Sequence, residues 1–129
     1  MQLSRKSDYA LRAIRNLSSL PKGKLGSINA IAEAESIPRE FLAKILKDLT
    51  IAGVLVSFKG VTGGYQLARP ARKISFLDVI EAVDGPVHLC LCTEPNGCSC
   101  DRNDHCHMHK FWVGQEKAIR AALTKQNFG

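Results

Sequence analysis

Five cysteines fall within CLCTEPNGCSCDRNDHC, residues 90 to 106, and the chain has no others. All four histidines, His88, His105, His107 and His109, lie in or beside the same run. Crowded thiols suit three chemistries: a disulfide knot, a zinc site or an iron-sulfur cluster. An odd count in a protein without a secretory leader argues against the knot, because cytosolic thiols stay reduced. Thiolates are soft ligands for zinc and iron-sulfur clusters alike, so the crowding of cysteines does not name the metal by itself. Structural zinc sites usually pair their ligands as C-x2-C or C-x4-C, whereas Cys90/Cys92 and Cys98/Cys100 are C-x-C pairs. On the residues alone a cluster, a zinc site and a thiol-disulfide switch all stay open, with the C-x-C pairs poor zinc signatures. A nucleophilic Cys/His site would need one thiol oriented by a base and an acid in a cleft, and here thiols and histidines share one polar loop. No enzyme activity is expected.

The elements that must carry this loop are legible around it. A chain of 129 residues with 45% hydrophobic content is one ordinary domain, long enough to bury a core without staples. The opening MQLSRKSDYA has no apolar leader, and apolar runs such as residues 51–56 are far short of a bilayer span. A soluble, cytoplasmic protein with no membrane partner is expected. The net charge of +6 is uneven: residues 1–60 carry ten Lys or Arg against five acids, and the rest is close to balanced. That asymmetry fits either a solvated basic face or a phosphate-binding one.

Apolar periodicity predicts a first helix from about Ser7 to Leu20, a short second helix over residues 28–35 capped by Ser27, and a third beginning at Pro38. Leu42, Ile45, Leu46 and Leu49 form the buried stripe of the third helix, and Ser36 stands where such turns commonly carry glycine. Two short helices joined by a tight turn make a helix-turn-helix. Residues 54–58, the KGVTGG turn and residues 65–68 then read as a β-hairpin wing. The predicted fold is mostly α with a small β-hairpin: a winged helix-turn-helix domain over 1–85, a cysteine-rich loop over 86–107, and a long amphipathic helix over 108–129. Trp112, Ile119 and Leu123 lie on its apolar stripe, and a second copy of the chain is the simplest partner for it. Pro38, Arg39, Glu40, Phe41, Ala43 and Lys44 are the candidate contacts to base edges or phosphates in a major groove, with Lys59 of the wing in the flanking minor groove. The expected partner is double-stranded DNA with a two-fold symmetric site.

In this order of parts, with KGVTGGY and with CDRNDHC followed six positions later by Trp112, the sequence resembles the Rrf family of bacterial winged-helix iron-sulfur regulators of the IscR, NsrR and RirA type. The resemblance covers essentially the whole chain. It implies a transcriptional regulator or repressor whose promoter binding depends on a cluster sensing redox, nitric oxide or iron-sulfur status. It further implies three cluster cysteines in the loop. Cys92, Cys100 and Cys106 fit these positions, with Cys98 as a substitute for Cys100. In one branch a histidine three residues after the third cysteine completes a two-iron (2Fe-2S) cluster, and His109 stands there. In a nitric-oxide-sensing branch an acid from the partner subunit completes a four-iron (4Fe-4S) cluster, and Asp8 matches it. The alternative is a winged-helix regulator with a structural zinc or thiol-disulfide loop.

Overall fold

The structure is a computed structural model, and it describes residues 3–87 and 107–129. It places α1 at Arg5–Ser18, α2 at Ile28–Glu35 and α3 at Arg39–Ile51, then the hairpin β1 (Leu55–Phe58) and β2 (Gly64–Leu67). A 3-10 turn at Ala71–Lys73 leads into α4 (Phe76–Asp84), and α5 spans His107–Lys125. Helix α1 starts two residues earlier than its apolar pattern suggests, because Ser4 is the N-cap and accepts from the Ser7 amide at 3.0 Å. Ser75 and Asp78 form the expected reciprocal capping box at the start of α4.

The core is aliphatic. Ile14 of α1, Ile31 of α2, Leu42, Ile45, Leu46 and Leu49 of α3, Ile74 and Val79 are all fully buried in one cluster. Burying such side chains is the main favourable term in a domain of this size. The predicted stripe of α3 is the one observed.

The helix-turn-helix turn is closed by the Ser36 and Ile37 amides, both of which donate to the Ala32 carbonyl. Ile37 plugs the space beneath it. Ser36 itself adopts φ 55° and ψ 45°, left-handed geometry that a side chain disfavours. The wing is antiparallel, with Leu55 opposite Leu67 and Phe58 opposite Gly64. Gly26, from the α1–α2 linker, exchanges both backbone hydrogen bonds with Tyr65 at 2.9 and 2.8 Å, which ties the wing to the helical body. Two of the wing glycines are sterically required: a Cβ on Gly63 would lie 2.2 Å from the Phe58 carbonyl oxygen, and one on Gly64 would lie 2.7 Å from that of Gly26.

Relieving the left-handed serine is expected to stabilise the fold. Ser36→Gly should raise the free energy of unfolding by about 0.5–1 kcal/mol, the steric gain exceeding glycine's extra unfolded-state entropy. Urea denaturation followed by circular dichroism measures it, and an unchanged or lowered midpoint contradicts the strain.

Candidate nucleic-acid interface and cluster site

Helix α3 divides cleanly into two faces. The apolar stripe points into the core, and Arg39, Glu40, Lys44 and Lys47 are exposed on the other side, with Ala43 half-buried between them. Among the described residues no carboxylate pairs with Arg39, Lys44, Lys47 or Lys59, whereas Lys6 is held by Asp48 at 2.8 Å and Arg12 by Asp8 at 2.9 Å. The outward face of α3 and the wing tip thus present unneutralised cations, the condition for phosphate attraction. Pro38 is the exposed N-cap of α3. Phe41 sits on the flank of that face and packs edge-on against Tyr9 of α1, with ring centroids 5.6 Å apart. The Arg12 guanidinium covers the same Tyr9 ring at 5.6 Å. Phe41 is therefore partly committed to its own protein, which periodicity along α3 alone does not reveal.

The five cysteines and His105 lie outside the described residues. The segments that enter and leave their loop are described, and both are pinned. On the entry side the Asp84 carboxylate accepts from the hydroxyls of Ser4 and Ser7, joining the end of α4 to the start of α1. Ser7 is fully buried, so this bond satisfies a polar group that would otherwise be desolvated without a partner. One oxygen of Glu81 accepts from the Val87 amide at 3.1 Å and from Arg120 of α5 at 2.7 Å. A single carboxylate thus holds both the chain entering the loop and the helix leaving it.

Helix α5 does not stand clear of the domain. Leu123 packs with Leu77, Ile80, Val87 and Leu11, and the tail beyond it is stitched back by the Phe76 amide to the Gln126 carbonyl at 2.8 Å. The rings of Phe76 and Phe128 stack at 4.8 Å. The stripe expected to face a second copy is consequently divided: Leu123 is used within the chain and Ile119 is half-buried, while Met108, Phe111 and Trp112 remain exposed. Ala118 and Ala122 continue the exposed face of Phe111 about two and three turns further on.

The two candidate fourth ligands sit in different surroundings. His109, three positions after Cys106, has its Nδ1 buried and without a hydrogen-bond partner among the described residues. A buried nitrogen left unpaired costs about 1–3 kcal/mol, which binding a metal centre would offset. This ring fits a ligand. Asp8 is already ion-paired with Arg12 and lines a cleft of about 430 Å³ with Leu11, Arg12, Phe76 and Phe128. Among the described residues no three metal-ligating side chains are gathered, and no helix is long and apolar enough to cross a membrane.

A winged helix with an appended α5 occurs in more than one setting, and comparison with known proteins decides which. The family model for Rrf2, described as an iron-dependent transcriptional regulator, matches residues 3–129. The chain belongs to the Rrf2 family. Rv1287 of Mycobacterium tuberculosis strain H37Rv, named as an HTH-type transcriptional regulator, is 39% identical over 87 residues, 67% of this chain and 54% of that protein. The chain spans about half the length of the curated relatives it matches. Among solved structures, CymR, the global cysteine regulator of B. subtilis, superposes with a TM-score of 0.77 over 99% of this chain and 93% of its own, at 22% identity. IscR of T. potens gives 0.79 over 99% and 83%, at 24% identity. The oxidized form of Staphylococcus aureus CymR gives 0.75 over 99% and 93%, at 26% identity. Over the described residues the fold of this Rrf2 chain is thereby that of the family, α5 included.

Glu81 supplies a direct test of how α5 is held. Glu81→Ala should lower stability by roughly 1–2 kcal/mol, since it strands the Val87 amide and releases Arg120. Hydrogen exchange should speed up in the second half of α5 while α3 stays protected; uniform exchange along both helices would contradict the pin.

Proposed function

We propose that this Rrf2 chain is a homodimeric DNA-binding transcriptional regulator whose promoter binding is governed by an iron-sulfur cluster in the cysteine loop. The observation that carries the reading is that the cations of α3's outward face, like the wing Lys59, meet no carboxylate among the described residues, in a chain whose sequence gathers every cysteine into one stretch. In this reading α3 enters a major groove. Arg39 reads guanine, Glu40 accepts from a cytosine amino group, Ala43 allows close approach, and Lys44 neutralises phosphate. Lys59 follows the wing into the flanking minor groove. Pro38 sets the angle at which α3 begins, and Phe41 contributes at the edge through its Tyr9 contact.

The exposed face of α5, with Met108, Phe111 and Trp112 at one end and Ala118 and Ala122 beyond, is the surface proposed to meet a second copy. A dimer sets two reading heads on a two-fold symmetric site. Cys92, Cys100 and Cys106, with Cys98 as substitute, are the proposed thiolate ligands. His109 is favoured over the partner subunit's Asp8 as the fourth, because its buried Nδ1 lacks a partner whereas Asp8 has Arg12. When bound, the cluster supplies a metal centre that reacts with oxidants and nitric oxide and leaves the chain apo when lost. The chain's own part is mechanical. Rearrangement of the loop bears on Val87 and α5 through Glu81, and on the start of α1 through Asp84. A thiol-disulfide loop is the second reading, favoured by the likeness to the oxidized form of S. aureus CymR.

Anaerobic purification with a visible spectrum and iron and sulfide assays tests the cofactor. Cys92→Ala and Cys106→Ala should abolish a brown chromophore, and Cys98→Ala or Cys100→Ala singly should be milder. His109→Ala should shorten cluster lifetime in air, with Asp8→Ala nearly silent. Colourless protein holding stoichiometric zinc, or metal-free protein whose DNA binding follows oxidant, would replace the cluster by one of the other loop chemistries.

Affinity and assembly give two further expectations. The logarithm of the binding constant should fall linearly with the logarithm of salt concentration, and Lys44→Ala and Lys59→Ala should each reduce the slope by about 1. Identical slopes in both variants would take those lysines out of the interface. Phe111→Glu should yield monomer by light scattering and weaken binding to a symmetric site; a variant that stays dimeric would move the interface off this face.

A further inference from the structure

Asn29 stands in the first turn of α2, ten positions before Arg39 at the start of α3, and both side chains are exposed. The Arg39 Nε–H donates to the Asn29 side-chain oxygen at 2.7 Å. This bond crosses the helix-turn-helix turn on its outer surface, where nothing in the core demands it. A structural pair at such an exposed position contributes little to stability, since water competes for both partners.

Its consequence is directional. A guanidinium is planar and carries five N–H donors, one on Nε and four on the two terminal nitrogens. Engaging Nε fixes the plane and leaves both terminal nitrogens free. Those two form the end-on fork that matches guanine O6 and N7 in a major groove. A free arginine samples many rotamers, and an arginine held by one hydrogen bond loses less freedom on docking. Among the described residues no carboxylate competes for Arg39, so the guanidinium keeps its charge for DNA.

We infer that Asn29, on the helix that does not enter the groove, is a positioning residue that sets base discrimination by Arg39. The inference rests on the proposed reading that α3 is the recognition helix. It deepens that reading by making one base preference depend on a residue of α2. Asn29 supplies the acceptor and Arg39 the contact to the base. Removing the acceptor should blur one base position without altering the charge presented to DNA.

The test is selection of bound duplexes from a random-sequence DNA pool by the full chain, followed by Kd measurements on guanine and adenine variants of the selected site. Arg39→Ala should reduce the guanine preference at one position in each half-site by about tenfold or more. Asn29→Ala should reduce the preference at that same position by about threefold, with other positions and the salt slope unchanged. Asn29→Asp, which retains the acceptor oxygen, should restore the preference while lowering overall affinity through its charge. If Arg39→Ala leaves every position unchanged, the recognition-helix reading of Arg39 fails and this inference falls with it. If Arg39→Ala erases the preference but Asn29→Ala does not touch it, the inference alone is overturned. Uniform weakening across all positions by Asn29→Ala, with unchanged circular dichroism, likewise overturns it.

Discussion

The structure depends on one aliphatic core shared by α1, α2, α3 and α4, in which Ile14, Ile31, Leu42, Ile45, Leu46, Leu49, Ile74 and Val79 are shut away from water. That burial sets the angle of α3, because its stripe must face inward, and the opposite face is then presented to solvent with its cations. Among the described residues the scaffold that displays α3 and the wing is held together by aliphatic packing.

Charge is arranged around the core with a similar division. Lys6, Arg12, Arg15, Arg69 and Arg120 each face a carboxylate. Such exposed pairs add little stability. Their effect is on the field: they neutralise these five cations, and none of them reaches the cations on the outward face of α3 or on the wing. The charge asymmetry of the sequence, ten Lys or Arg against five acids in residues 1–60, thus includes unpaired cations on the outward face of α3 and on the wing.

The chain entering the cysteine loop and the middle of α5 beyond it are held by the same helix. Asp84 binds two hydroxyls of α1, and Glu81 binds the Val87 amide and Arg120 of α5 within one turn of it. Helix α4 is the element through which the loop, the start of the DNA-binding domain and the proposed dimer helix touch. Allosteric control needs two discrete arrangements biased by a ligand. A pair of carboxylate pins on one helix is a short route by which movement in the loop can reach both neighbours.

By itself the sequence determined the local elements, since these follow from short-range rules. The 3.6-residue stripe of α3, the Ser27 and Ser75 caps, the glycine-dependent wing turn and the crowding of cysteines all lie within a few positions of one another. Ser36 was legible in the same way, as a residue where glycine is usual, and its φ of 55° agrees. Tertiary structure decided everything that joins distant positions: the Asn29–Arg39 bond, the Tyr9–Phe41 contact, the two carboxylate pins, and the use of Leu123 inside the chain. Periodicity marks which side of a helix is apolar, but not whether that side meets its own domain or another copy. The choice for α5 was made by Phe128 and the backbone bridge from Ser75 to Asn127, which pull its end onto α4 and leave Met108, Phe111 and Trp112 uncovered.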